Sequence, residues 1–200
     1  MDVLGRTSLE YIRWLVNKES QISEINFREY QYPAAPPGTQ PALEDKLFSL
    51  ERGGFLKIGD LEMRISKLKK NRNIGIESLV MRGRNKLHIP MMDFSLPKSE
   101  NSIRLLKDVF GGLISKRFSE GIFFETDNSY HYIGKNLMSE YEFREFLHWS
   151  LIATYRKGRR LYENVVDVPF VGYSLIKGSA CLRITSYPDK DYLPKAVLSI

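Results

Sequence analysis

One cysteine stands in the 200 residues, Cys181. A lone cysteine excludes an internal disulfide and any multi-cysteine zinc site, and makes a reducing, cytoplasmic compartment the expectation. Histidine is scarce too: His88, His131 and His148 have no paired spacing from which a metal cage is built. No stretch approaches the roughly eighteen uncharged apolar residues of a membrane-spanning helix, so no membrane partner is expected. The opening MDVLGRTSLEYIRWLVNK scatters acid and base where a signal peptide needs a continuous apolar core. A GxxxxGK[ST] phosphate loop is missing, and so is any internal repeat.

What is present is a foldable chain with a basic balance. An apolar share of 42%, with 12% aromatic, is enough to bury a sizeable core. A net charge of +6 favours acidic partners, of which nucleic acid is the commonest.

Ser8 reads as the cap of a helix running to about Tyr30, with Leu9, Ile12, Leu15 and Val16 at helical spacing. The stretch from Pro33 to Pro41, PAAPPGTQP, forbids helix and central strand and makes a stiff linker. Residues 1–32 are therefore expected to be a helical arm, free to pack on the main domain or on a protein partner, and residues 42–200 the core domain. The runs FLKIGDLEMRIS, IGIESLVMR and KLHIPMMDFSL read as strands. The basic segments Arg64 to Arg72 and Arg82 to Lys86 read as solvated ends or as a rim for phosphates.

From Lys86 the order is clearer. KLHIPMMDFSL is a strand, and Ser99 to Phe118 is a helix. Gly121 to Leu137 is a β-hairpin, in which Thr126-Asp127-Asn128 turns between two strands. A helix capped by Ser139 is expected to continue to Lys157 and stop at Gly158. A connection from Val165 to Lys177 then leads to a last strand, Ser179 to Ser186. Strand, helix, strand, strand, helix, strand is the order of an α+β, RRM-like or ferredoxin-like βαββαβ sheet. Here it carries additional N-terminal strands. In that topology the first and third strands are neighbours, which sets Asp93 beside His131. Alternation along the hairpin's second strand puts Ser129 and His131 on one face and Tyr130 and Tyr132 on the other.

Asp93 closes an apolar run where a buried carboxylate needs a partner, a metal or exposure. With Met91-Met92-Asp93-Phe94-Ser95 on one strand, Ser129-Tyr130-His131 on its neighbour and Val165-Val166-Asp167 before the last strand, the chain resembles the archaeo-eukaryotic primase (primase-polymerase) superfamily. The resemblance covers roughly Lys86 to Val197. It implies nucleotidyl transfer by two-metal chemistry on nucleotides and single-stranded DNA or RNA, in replication or repair. By the same resemblance Asp93 and Asp167 are ligands for Mg²⁺ or Mn²⁺, and with His131 they form the catalytic group. Ser129 and His131 meet the nucleotide phosphates, and Arg183 and Lys177 add positive charge there. Arg156, Lys157, Arg159 and Arg160 would lie near template phosphates. Ser95 stands where the family has a second aspartate, and Glu125 or Asp127 is the candidate for a further metal ligand. The alternative reading is a catalytically inactive nucleic-acid-binding palm or an interaction subunit.

Overall fold

A computed structural model describes residues 4–31, 45–57, 59–69, 72–113, 118, 120–157, 161–185 and 193–200. They form a mixed α+β fold with antiparallel sheets and, among the described residues, six helices.

Helix α1 (Ser8–Lys18) starts in a capping box, in which Thr7 accepts from the Glu10 amide and Glu10 reaches back to Thr7. It buries Tyr11, Ile12, Leu15 and Val16. The helix stops there. Residues expected to extend it form strand β1 (Glu24–Gln31), because Ile25 and Phe27 follow a period of two and not 3.6. Strand β1 lies between β2 (Lys46–Glu51) and β3 (Arg72–Arg82). The first thirty residues are thus part of the core and not an appended helical arm. Pro33 to Pro41 lies outside the described residues. FLKIGDLEMRIS, expected as a strand, instead supplies the end of helix α2 (Arg52–Leu56) and helix α3 (Asp60–Ser66). Phe55, Leu61 and Ile65 sit at spacings of six and four, and Glu62 binds the Gly59 amide at 2.9 Å.

KLHIPMMDFSL is two strands in two sheets. Strand β4 (Asn85–His88) pairs with β3, and β5 (Met91–Asp93) joins the other sheet. Pro90, which has no amide to donate, marks the break. Its carbonyl accepts the Gly134 amide at 2.8 Å, and a Cβ at position 134 would lie 2.7 Å from its ring. Only glycine fits there.

Helix α4 (Glu100–Leu113) starts where expected, with Ser99 accepting the Ser102 amide at 3.1 Å. The hairpin is formed by β6 (Gly121–Glu125) and β7 (Tyr130–Gly134). Its turn is closed by the Thr126 amide on the Ser129 carbonyl at 2.9 Å and the Ser129 amide on the Thr126 hydroxyl at 3.1 Å. Helix α5 (Glu140–Leu151) has the expected Ser139 cap but ends six residues early. Thr154 and Tyr155 favour strand, and β8 (Thr154–Lys157) pairs with β9 (Leu161–Asn164). Arg156 and Lys157 therefore lie on a two-stranded ribbon, and Arg159 and Arg160 fall outside the described residues.

The supposed connection after Val165 holds helix α6 (Val168–Lys177). Asp167 is its N-cap, a proline stands in its first turn, and Gly178 closes it at φ +73°. Strand β10 (Cys181–Arg183) pairs with β3 and not with β5. The outer edge of β5 is taken instead by the segment before α6: Ser95 donates its amide to Val165 O at 3.0 Å, and Asp167 donates its amide to Asp93 O at 2.9 Å. The expected closing strand thus belongs to the larger sheet, ordered β10-β3-β1-β2. The smaller sheet runs β11-β6-β7-β5, with β11 (Lys195–Ser199) on the far side of β6.

One face of the smaller sheet packs an aromatic core. Phe110 of α4 lies 4.8 Å from Tyr132 and 5.7 Å from Phe123, ring centre to ring centre. Alternation therefore sends His131 to the other face, in a row with Phe124 and Asp93 across three strands. No helix among the described residues is long and apolar enough to cross a membrane.

Candidate active site

Asp93 and His131 stand directly opposite each other on β5 and β7. The His131 Nε2 lies 3.6 Å from Asp93 Oδ1, a contact longer than a hydrogen bond. Asp167 is joined to this pair through its amide on the Asp93 carbonyl, and its carboxylate Oδ1 accepts the Phe170 amide at 2.8 Å. The cap fixes the Asp167 side chain at the start of α6.

Electrostatics sharpen the picture. Burial, and after it the neighbouring Asp167 charge, raise the Asp93 carboxyl from 3.8 to about 7. The Phe94 amide, 2.9 Å away, and Arg183 only partly offset this. Its side chain nevertheless keeps 32% of its surface open, a path by which a cation can reach it. Burial, with Arg183 adding repulsion, lowers His131 to about 3, so the imidazole is neutral throughout the physiological range. Its Nδ1 is buried without a hydrogen-bond partner among the described residues. An orphaned ring nitrogen beside two repelling carboxylates is a site short of a counterpart.

Other expected members have definite places. Ser129 donates its hydroxyl to the Phe94 carbonyl, which fastens β7 to the end of β5. Arg183 donates an Nη2 hydrogen to Asp127 Oδ2 at 3.4 Å and is close enough to Asp93 and His131 to depress both pKa values. Lys177 is elsewhere. It lines a groove of about 400 Å³ with Asn26, Arg28, Phe48, Glu77 and Ser179, on the larger sheet. Ten helical residues separate it from Asp167, a rise of about 15 Å, so the two cannot share one small site.

The third metal ligand is not supplied by the candidates for it. Glu125 binds Lys98 at 2.9 Å, Asp127 binds Arg183, and Ser95 donates its hydroxyl to the Val166 carbonyl at 3.3 Å. Among the described residues no group of three His, Cys, Asp or Glu side chains is arranged to hold a metal ion. The donor set present, two carboxylates, fits a magnesium-like cation of the kind that takes its remaining ligands from substrate phosphates and water. Lys98, and the use of Asp127 as a counter-ion, were not foreseen. Asp127 and Arg183 are 56 residues apart, and only the tertiary fold joins them.

No curated protein and no solved structure matches the chain. A family model does, over residues 56–196, a span that takes in Asp93, Ser129, His131, Asp167 and Arg183. That match covers well over half of the chain, and the chain belongs to the AEP-like family, described as archaeo-eukaryotic primase 1D-like.

Proposed function

We propose that this primase/polymerase-type domain binds a nucleoside triphosphate at Asp93, Asp167, His131 and Arg183 and joins nucleotides on a single-stranded template. The observation that carries the reading is the pairing of Asp93 with His131 while Asp167 is hydrogen-bonded to the Asp93 backbone. Asp93 and Asp167 would hold Mg²⁺ or Mn²⁺, which supplies charge neutralisation of the polyphosphate and activation of a primer hydroxyl. His131, kept neutral by burial, serves as a hydrogen-bonding group to a phosphate oxygen and not as a cation. Arg183 brings the permanent positive charge. Ser129 supports the site through the strand it clamps.

The test is dinucleotide formation and primer extension with Mg²⁺ or Mn²⁺, run beside Asp93→Ala. Activity that depends on the metal and vanishes in the variant is expected; activity surviving in Asp93→Ala removes the assignment.

A second reading has its own support. Ser95 and the counter-ion roles of Glu125 and Asp127 leave two carboxylates where two-metal chemistry commonly uses three. A palm that binds nucleotide and single-stranded nucleic acid without transfer fits that donor set. It predicts nucleotide binding that needs the cation, strand binding that weakens steeply with salt, and no product. An interaction role through residues 1–32 has less support, since Tyr11, Ile12, Leu15, Val16, Ile25 and Phe27 are already buried within this chain.

A further inference from the structure

The acid at the hairpin tip has a role that neither reading uses. Asp127 lies in the β6–β7 turn of the smaller sheet, and Arg183 lies on β10 of the larger one. Their ion pair therefore crosses from one sheet to the other. Both side chains are mostly enclosed, at 14% exposure for Arg183 and 16% for Asp127. The contact is a single one at 3.4 Å, between one guanidinium nitrogen and one carboxylate oxygen. A bidentate pair would use two nitrogens of the fork at about 2.7–2.9 Å. Here the remaining Arg183 donors have no protein partner among the described residues. Yet the same guanidinium is near enough to lower the pKa values of Asp93 and His131.

We propose that Asp127 is a positioning residue for Arg183. It holds the guanidinium by one corner over the Asp93–His131 pair and leaves the other N–H donors open for the phosphate oxygens of the nucleotide. A long arginine side chain loses much of its rotamer freedom when it is fixed. An acid that fixes it beforehand spares the ligand that cost. Asp127 is then not a metal ligand, and its carboxylate acts on the site through Arg183. The inference rests on the phosphate-binding reading of the site.

The experiment measures binding of inorganic tripolyphosphate to the full chain by calorimetry in buffer containing Mg²⁺, for wild type, Asp127→Asn, Asp127→Glu, Arg183→Lys and the Asp127→Asn/Arg183→Lys pair. Asp127→Asn is expected to weaken binding about five- to tenfold, the scale of one charge-assisted hydrogen bond. Asp127→Glu should restore most of it, which a merely structural role would not do. On the Arg183→Lys background, whose ammonium has no fork to orient, Asp127→Asn should have little further effect. Unchanged or tighter binding by Asp127→Asn, or losses that multiply independently in the double variant, overturns the positioning role while the phosphate site stands. Wild type that fails to bind tripolyphosphate overturns the phosphate reading, and this inference with it. Should Asp127→Asn not fold, Asp127→Glu and the Arg183→Lys series decide the matter by the same comparison.

Discussion

Two acids, the buried Glu77 and the partly open Asp93, have opposite surroundings. Glu77, 4% exposed, receives Arg28 Nε at 2.5 Å and the Ser179 hydroxyl at 2.6 Å. Arg28 also reaches Asp45 at 3.3 Å, so the group is a closed network on the larger sheet. Asp93 has one amide bond, from the next residue, and faces another acid. The first acid is neutralised from within the chain. The second is left in deficit, and its pKa rises to about 7 as a result. Burial beside a like charge, and not burial alone, is what makes Asp93 the candidate.

The largest test of that contrast is removal of the satisfied acid. Glu77→Ala strands Arg28, 14% exposed, without its main partner and is expected to cost about 3–5 kcal/mol in urea unfolding. A cost under about 1 kcal/mol would break the comparison, since Glu77 would then matter no more than a surface acid.

Asp93→Asn should do the reverse. In cation-free buffer at pH 8 the variant is expected to be as stable as wild type or more so, while cation-dependent nucleotide binding is lost. The sign follows from linkage. Because the folded pKa of Asp93 lies above its unfolded value of 3.8, its contribution to stability is present below that value and is lost as pH rises through about 7. His131 has a lowered folded pKa, so its contribution is present above pH 6.5 and is lost as pH falls towards 3. Melting wild type beside Asp93→Asn across pH 4 to 8 should show the variant gaining relative stability as pH rises; a flat difference contradicts the deficit.

A smaller effect is expected from adding an acid just after β5. Ser95→Asp adds charge next to Asp93 and gives up the Ser95 bond to Val166. Divalent cation affinity, measured by calorimetry, should rise by about tenfold with the added ligand charge, while the metal-free fold loses some stability. No gain in affinity would mean that position 95 does not face the site. The smallest effect belongs to Ser129→Ala. It loses the hydroxyl's bond to the Phe94 carbonyl and should cost about 1 kcal/mol, with tripolyphosphate affinity changed less than by Asp127→Asn.

The chemistry-bearing part of the fold was legible where it depended on local pattern. Ser129, Tyr130, His131 and Tyr132 alternate in a strand beside a polar turn, and that alternation alone placed His131 on the face away from the aromatic core. The neighbouring strand could be inferred from element order, which put Asp93 opposite. Helix α6 is equally legible in its capping chemistry, since Asp167, Pro169 and Gly178 mark its two ends. Other features had no local signal. Three-residue β10 is too short to show which sheet it joins, and the placement of Lys177 follows from a helix read as a loop. The cross-sheet pair of Asp127 and Arg183 depends on two folded sheets meeting.

The break at Pro90 ties those two sheets together by a short link. Only Ile89 and Pro90 separate β4 of the larger sheet from β5 of the smaller one, a tether spanning about 7 Å at full stretch. Gly134 is packed against the proline ring and bonded to its carbonyl, so the tether is gripped from the side. The sheets that carry Arg183 and Asp93 are therefore joined by a short, gripped link. Lengthening that link by one residue is expected to shift Arg183 relative to Asp93 without altering either side chain.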